Sequence, residues 1–494
     1  MKTPDLASPL GGQPEPAAES KNKGFPESAS LHENEQGLER QLTSRQLSML
    51  AIGGAIGTGL FLGSSLAVRT AGPAVILTYL LGALVALLLM AALTEMAVAH
   101  PTAGSFGVYA EIYLSRWAGF VVRYTYWASL AIAIGGEATA VAIYCRWWFP
   151  GSPQWIWILG FSGGLMYLNA RSVGSFAEFE YWFAMIKVVA IIVFIGFGVS
   201  MIFGFSSAPA LGFRNFTDHG GFFSKGIEGA WMAIVFVIFS YIGTEVVAVT
   251  AGEAKDPGKA LPRAMRTMLA RLVLFYIGAM VVLVGVVPWQ QVQSSNDVTA
   301  SPFVKVFQLA GIPAAAHVVN FVVLTAALSS MNCMLYMNTR ILFSLACSGL
   351  APAKLAKVSK RGCPEGALIA SGGGLLVAAG LAFLYPGSAF VYMFGISLFG
   401  GLFVWLMIFI THLAFRRKWR SPDGMPLPVR MMGCPYTTLL GAGLLVAILA
   451  TTWWVEGMRI TLIAGVPWLM LISLVYLIWG RLQGPERFTA ASSK

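Results

Sequence analysis

The first long apolar segment of the chain contains, at residues 52–59, the sequence IGGAIGTG, in which four of eight residues are glycine. The surrounding apolar run, residues 47–68, is long enough to cross a lipid bilayer as a helix. A glycine inside a helix costs about 1 kcal/mol relative to alanine, and unpaired backbone groups cost more in lipid. This stretch therefore predicts a membrane helix that is interrupted near its middle, where freed backbone groups can bind a ligand.

The composition predicts an all-α polytopic membrane protein. Of 494 residues, 57% are hydrophobic and only 11% are charged, which is too little charge for the surface of a soluble protein of this size. The net charge of +11 lies mostly in short loops, so it indicates membrane orientation and not nucleic-acid binding. Five scattered cysteines show neither metal-ligand spacing nor a disulfide framework.

Twelve apolar spans follow one another along the chain. We place them at residues 46–68, 73–98, 118–148, 154–170, 178–204, 227–252, 268–288, 314–346, 366–384, 388–413, 436–455 and 460–479. Lysine and arginine are concentrated after the even-numbered spans, for example in residues 354–361 and 416–430. This asymmetry predicts a multi-pass protein of the cell membrane, with both termini in the cytoplasm.

Segments outside the spans complete the predicted organisation. Residues 1–40 are rich in Pro, Glu, Ser and Gly and predict a disordered tail. Residues 41–482 form one membrane domain, and residues 483–494 a short C-terminal tail. The stretch 100–117 is too polar to span, and we expect a connection with a helix along the membrane surface.

An internal repeat links the first and sixth spans. The sequence IGTG at residues 56–59 recurs as IGTE at residues 242–245, again near the middle of an apolar run. Five spans separate the two, so the corresponding helices enter the membrane from opposite sides. Paired interruptions in inverted halves are typical of transporter binding sites. We expect repeat one at 46–204, repeat two at 227–413, and helices 11 and 12 at 436–479.

The two interruptions predict a site for a ligand that carries a carboxylate and an ammonium group. N–H groups after the first interruption suit the carboxylate, and carbonyl groups of both interruptions suit the ammonium. The Phe239 ring is a candidate gate. Close helix packing through small residues is the alternative for the glycines, and a packing role is the alternative for Phe239. The predicted substrate-binding residues are Ile52, Gly53, Ala55, Ile56, Gly57, Thr58, Gly59, Phe239, Ser240, Ile242 and Gly243.

Three ionisable residues lie deep within apolar spans: Glu137, Lys187 and Glu245. A charge there costs at least about 2.5–3.5 kcal/mol on insertion scales, so each is a candidate for proton coupling. A hydrogen-bonded structural carboxyl is the alternative for either glutamate. For Lys187 the alternative is a side chain that reaches the membrane interface.

Other classes of function have no support in the sequence. It contains no catalytic triad pattern, no phosphate-binding loop and no histidine spacing for a metal. We therefore expect no enzyme activity, no catalytic residue, no cofactor, no metal and no nucleic-acid partner. The expected partners are the substrate, the proton and membrane lipid.

Several motifs together resemble the bacterial amino acid transporter family of the amino acid–polyamine–organocation superfamily. They are MLAIGGAIGTGLF at 49–61, AGPA at 71–74, GSF at 104–106, FEYWFAMIK at 179–187, GTE at 243–245, GEAKDP at 252–257, SPFV at 301–304, ALSSMN at 327–332 and GLAP at 349–352. The family pattern is altered at Thr94, Ala177 and Cys333. Because of the change at Cys333, the substrate of a family member is a weaker guide to the substrate of this chain.

The resemblance implies the fold of that superfamily: twelve helices, a five-plus-five inverted repeat and broken helices 1 and 6. It also implies import of an amino acid by proton symport with alternating access. Lys187 matches a lysine that replaces a sodium ion in relatives, Phe239 matches a gate, and Glu245 matches a glutamate implicated in proton coupling. We expect a neutral, aromatic or 4-aminobutyrate-like substrate. An exchanger, a nutrient receptor and a passive channel remain the alternatives.

Overall fold

The computed structural model describes residues 44–102, 104–171, 173–205, 210–250, 257–292, 302–309, 313–385, 389–419, 427 and 429–483. The predicted terminal tails lie outside these residues, apart from Gln483. Every regular element in the described part of the chain is helical, as the composition predicts.

Helices in the first half of the chain correspond to the first five predicted spans, except for α4, which lies in the connection after the second span. They are α1 (Ser44–Ala55), a π-helical turn (Gly59–Gly63), α2 (Ser64–Ala71), α3 (Val75–Ala99), α4 (Ser105–Tyr113), α5 (Arg116–Arg146), α6 (Gln154–Arg171) and α7 (Val173–Phe203). The first predicted span is thus divided into α1, the π-helical turn and α2.

The second half begins with another divided segment. Its helices are α8 (Gly226–Met232), α9 (Ile234–Phe239), α10 (Val246–Val249), α11 (Pro257–Val286), α12 (Pro302–Leu309), α13 (Pro313–Cys347), α14 (Glu365–Leu384), α15 (Ala389–Lys418), α16 (Tyr436–Thr451) and α17 (Ile460–Gln483). The sixth predicted span consists of α8, α9 and α10, with non-helical backbone between α9 and α10.

Seven helical segments of the described chain are long and apolar enough to cross a membrane. The longest, Ile52–Ala99, covers the first two predicted spans. Three shorter apolar helices overlap the sixth, ninth and eleventh predicted spans: Gly226–Phe239, Glu365–Leu381 and Tyr436–Thr451. These segments indicate an integral membrane protein, and the count of twelve spans stays a prediction.

Helix α5 lies at the centre of the bundle and packs against α4, α6, α13, α14, α15 and α17. In its most apolar stretch 83% of the residues are buried inside the protein, against 17% for Ile460–Trp479 at the periphery. Helix α1 packs against α7, α11 and α13. The interrupted ends of α1 and α9 therefore lie inside the bundle and not at its lipid surface.

The connection predicted within residues 100–117 contains a helix, α4, and its placement along the membrane surface stays a prediction. Most of α4 is buried, and Glu111, its one charged residue, forms an ion pair with the fully buried Arg123 of α5. Arg123 also donates to Ser348 Oγ (2.9 Å). His100 Nε2 and the Tyr113 hydroxyl lie 2.5 Å apart, and burial raises the pKa of Tyr113 well above its usual range. These contacts hold α4, whose buried residues are mostly apolar or aromatic, against α5.

A second buried polar group, the Glu95 cluster, consists of Glu95, His412, Arg416, Met431 and Thr438. Glu95 Oε1 lies 2.8 Å from Arg416 Nε, and Glu95 Oε2 lies 3.1 Å from His412 Nε2. The Met431 N–H donates to Glu95 Oε2 (2.9 Å), and His412 Nδ1 lies 3.1 Å from Thr438 Oγ1. The cluster joins α3, α15 and α16 at the ends of these helices.

Candidate functional site

The first break, residues 56–58, separates α1 from the π-helical turn. Its residues are buried. A Cβ atom at Gly57 would lie 2.5 Å from Ser330 Oγ of α13 and 2.6 Å from Glu137 Oε1 of α5. Only glycine allows these side chains to approach the backbone so closely.

The second break, residues 240–245, separates α9 from α10. Gly243 has a φ of +103°, a conformation that side chains other than glycine rarely adopt. A Cβ at Gly243 would lie 2.5 Å from the carbonyl oxygen of Gly54. The two interrupted helices therefore meet in direct backbone contact, through one glycine of each.

Tyr276 of α11 connects the two interrupted helices. Its hydroxyl lies 2.8 Å from the carbonyl oxygen of Ala55 and 2.7 Å from that of Ser240. Tyr276 is fully buried. It supplies a donor to carbonyl groups that a continuous helix would have paired internally.

Glu137 reaches the first break from α5. Its Oε1 accepts from the N–H of Thr58 (3.3 Å) and from Ser330 Oγ (3.0 Å), and its side chain is buried. Its Oε2 is buried and has no hydrogen-bond partner among the described residues. No partner within the described chain is found for the N–H groups of Gly57 and Gly59. These N–H groups can bind an anion.

Lys187 of α7 reaches the first break from the opposite side. Its side chain is fully buried, and Nζ donates to the carbonyl oxygens of Gly53 and Ile56, each at 2.6 Å. It does not extend to the interface, so the interfacial alternative is excluded. The ammonium group replaces, for these two carbonyls, the helical donors that the break removes.

Glu245 lies directly after the second break. Its Oε1 accepts from the Tyr126 hydroxyl (2.6 Å), and its Oε2 accepts from the N–H of Gly243 (3.0 Å). Both oxygens are thus paired with donors. The carboxylate closes the turn between α9 and α10 and connects it to α5.

Aromatic rings cover one side of the breaks. The ring of Phe239 lies 4.0 Å from that of Phe394 of α15, with Phe236 and Phe390 beside Phe394. A Cβ at Gly59 would lie 3.1 Å from the Phe239 ring. Phe239 therefore contacts both the first break and α15, a position from which a ring can open or close a path.

Some backbone atoms that the sequence assigns to the ligand are already paired. The N–H of Ile56 donates to the carbonyl of Ile52 (3.0 Å), and that of Thr58 donates to Glu137. The carbonyl of Gly53 accepts from Lys187. The expectation of free carbonyls at Ile52 and Gly53 is wrong, because buried backbone groups need partners and the chain supplies them.

Five further polar residues that are not among the predicted site residues lie at or next to the breaks: Glu180, Ser329, Ser330, Asn332 and Tyr276. Glu180 of α7 is fully buried, and its Oε1 accepts from Ser329 Oγ. Two features of the sequence indicate that these residues lie near the breaks. Glu180 precedes Lys187 by seven residues, which places both on one helical face. The polar run 329–332 interrupts an apolar helix.

Comparison with known proteins assigns the chain to a family. The family model for amino acid permeases matches residues 46–487. This chain belongs to the amino acid permease family. It is 37% identical to the uncharacterized amino acid permease YtnA of Bacillus subtilis, over 90% of this chain and 96% of the relative. It is 36% identical to the gamma-aminobutyric acid permease of the same organism, over 93% and 97%.

A third Bacillus subtilis relative, the probable threonine/serine transporter YbxG, is 39% identical over 90% of this permease and 95% of its own length. The names of these relatives cover different substrates, so the family assignment does not by itself select one. Within the described residues of the permease no group of three His, Cys, Asp or Glu side chains could hold a metal ion.

Proposed function

We propose that this permease imports an amino acid by proton symport with alternating access. The observation that carries the proposal is the contact of the two interrupted helices through Gly54 of α1 and Gly243 of the second break, beside buried Glu137 and Lys187. Non-helical backbone at membrane depth is tolerated where it lines a site, and buried charges there mark a functional pathway.

The proposed architecture is the twelve-helix fold with a five-plus-five inverted repeat, within a permease domain of residues 41–482. Repeat one contains the first break and repeat two the second. Both termini face the cytoplasm, and the protein spans the cell membrane, because lysine and arginine cluster in alternate loops.

In the proposed site the substrate carboxylate binds to the N–H groups of Gly57 and Gly59, with the Thr58 hydroxyl as an additional donor. The ammonium group binds at carbonyls of the second break, around Phe239 and Ser240. Ala55, Ile56, Ile242 and Gly243 complete the backbone surface of the site. The ring of Phe239 covers the bound substrate.

Proton coupling involves the buried groups Glu137, Lys187 and Glu245. The strongest structural support concerns Glu137, because it binds the first break and retains one buried oxygen without a partner. A proton on that oxygen would neutralise the carboxyl beside the site for the substrate carboxylate. Substrate and proton then favour each other's binding, which is the requirement for symport.

The substrate class is a neutral or aromatic amino acid or a 4-aminobutyrate-like compound. The names of relatives include 4-aminobutyrate and threonine or serine. Small residues at the first break leave the amino and carboxyl groups as the main recognition features. An amino acid exchanger and a nutrient receptor are the alternatives on the same fold.

Flux measurements test the proposal. Purified permease is reconstituted in proteoliposomes with an inward proton gradient, and radiolabelled 4-aminobutyrate, threonine, phenylalanine and histidine are offered in turn. We expect one class to accumulate uphill and to lose accumulation when a protonophore collapses the gradient. Exchange without uphill uptake would favour the exchanger, and binding without flux would favour the receptor.

A further inference from the structure

We propose that Glu180 is the permanent counter-charge of Lys187 and positions the broken end of α1, while the transported proton is carried by another group. This inference rests on the proposed proton symport and adds a residue to that site. Glu180 lies two turns before Lys187 on α7, and both side chains are fully buried. Nothing in the proposed binding of the substrate requires Glu180.

The two charges lie on either side of Gly53. The carbonyl of Gly53 accepts from Lys187 Nζ, and a Cβ on Gly53 would collide with Glu180 Oε1. The last turn of α1 therefore lies between an ammonium group and a carboxylate. A change in either charge alters the field at the first break directly, because the interior screens charges weakly.

The partners of Glu180 are donors at both oxygens. Oε1 accepts from Ser329 Oγ, and Oε2 accepts from Asn332 Nδ2 (3.2 Å). Both donors belong to α13. An ionised carboxylate can only accept hydrogen bonds, so this environment matches the charged form of Glu180.

The orientation of the Asn332 amide is fixed by α6. Asn169 Nδ2 donates to the carbonyl of Leu165 (3.0 Å) and to Asn332 Oδ1 (2.7 Å). Since Asn332 Oδ1 accepts from Asn169, its NH2 group faces Glu180. The network thus extends from α6 through α13 to α7. Asn169 donates to Asn332, and Asn332 donates to Glu180.

The other titratable groups near Lys187 and Glu180 are Glu137 and Cys333, and their hydrogen-bond partners differ from those of Glu180. Lys187 also faces Glu137 of α5 and the Cys333 thiol of α13. Cys333 Sγ donates to the carbonyl of Leu50 (3.8 Å), and Glu180 faces Lys187 and the same thiol. Glu137 has one oxygen without a described partner, whereas Glu180 has none. Both oxygens of Glu180 already accept from donors of α13, whereas Oε2 of Glu137 can bind a proton without competing with a described donor.

Infrared spectroscopy tests the charge of Glu180 without any substrate. Reconstituted wild type, Glu180→Gln and Glu137→Gln are titrated with acid, and the carbonyl stretch of protonated carboxyl groups is recorded in difference spectra. We expect Glu180→Gln to show the wild-type bands. A band that Glu180→Gln removes would overturn the proposal. This result does not depend on transport, so it separates the inference from the proposed function.

Transport by the same variant tests the positioning role. The probe is the radiolabelled amino acid that wild type accumulates best. For Glu180→Gln we expect binding within about twofold of wild type but uphill accumulation reduced about tenfold or more, since one member of a buried pair is lost. Glu180→Asp, which keeps the charge, should recover part of the accumulation. The control is Glu178→Gln, an exposed glutamate of the same helix.

Two results for Glu180→Gln would contradict the positioning role. Wild-type accumulation by Glu180→Gln would overturn the proposal, and so would loss of binding together with accumulation. If Glu180→Gln does not fold, the double variant Lys187→Met/Glu180→Gln decides, because it removes both charges. Recovery of folded protein in the double variant supports the pair, and failure of that variant as well contradicts it.

Discussion

At the residue scale, Lys187 combines three donors with two carbonyl acceptors at the first break. We predict that Lys187→Ala abolishes uptake driven by a proton gradient, because the break loses its cation and both carbonyls lose their donor. The measurement is uphill accumulation in proteoliposomes, with Lys354→Ala, at an exposed lysine of the 3₁₀ helix Ala353–Ala356, as the control. Accumulation by Lys187→Ala that matches wild type would contradict the prediction.

Tyr276 allows a stability test at the same scale. Tyr276→Phe removes only the hydroxyl that reaches Ala55 and Ser240. An unsatisfied buried polar group costs about 1–3 kcal/mol, so we predict a loss of that order in the free energy of unfolding. Reversible unfolding in mixed micelles measures it. Tyr392→Phe, at a partly exposed tyrosine, should leave stability unchanged, and an equal effect of both variants would argue against a bridging role.

At the element scale, the interrupted first helix depends on small residues where α5 and α13 approach it. We predict that Gly57→Val weakens substrate binding by at least roughly tenfold, or about 1.4 kcal/mol. The new side chain must displace Ser330 or Glu137, whose oxygens lie 2.5 and 2.6 Å from its Cβ position. A thermal-shift titration with the transported amino acid measures the affinity.

The matched control for Gly57→Val is Gly196→Val. Gly196 lies within α7, and a Cβ there would meet nothing within 4 Å. Any general cost of valine in a membrane helix therefore appears in both variants, whereas the loss of affinity should appear only at Gly57. Unchanged affinity of the Gly57 variant would place the substrate elsewhere.

At the scale of the whole molecule, the Glu95 cluster joins three helices far apart in sequence. We predict that Glu95→Gln and Arg416→Gln each destabilise the protein and that their effects are not additive. A coupling free energy of about 0.5–3 kcal/mol is expected for residues in one network. Unfolding of the two single variants and the double variant measures it. Strict additivity would show that the 2.8 Å contact contributes little.

The sequence was sufficient to predict the helical class and the position of both interruptions, because glycine clusters and long apolar runs are local signals. A charge inside an apolar run also marks Glu137, Lys187 and Glu245, which the structure places at the breaks, and their role in proton coupling stays a prediction. Glu180 was harder to recognise, because it lies near a predicted helix end, where charge is ordinary. Tyr276, Ser329 and Ser330 acquire their contacts only from the rotation of α11 and α13 about their axes, which apolar helices do not encode locally.

The buried position of α4 could not be predicted for a related reason. The stretch 100–117 is too polar to span, whereas α4 itself carries one charged side chain, Glu111, which is paired with Arg123 of α5. That pair forms only after α4 has packed on α5. A local sequence pattern indicates the polarity of a segment, whereas its burial within the bundle depends on the residues that pack against it from elsewhere in the chain.

The hydroxyl of Tyr276 has one hydrogen and two carbonyl acceptors within reach, one in each interrupted helix. At any moment it can donate to only one of them. One of the two carbonyls, Ala55 or Ser240, therefore accepts the hydroxyl hydrogen while the other does not, even though the same tyrosine contacts both. An amino group that donates to the second carbonyl resolves this competition, and the identity of that carbonyl fixes the direction of the tyrosine hydrogen. In the proposed site the ammonium group donates to the Ser240 carbonyl, so we expect binding to turn the Tyr276 hydrogen towards Ala55 by rotation about its C–O bond.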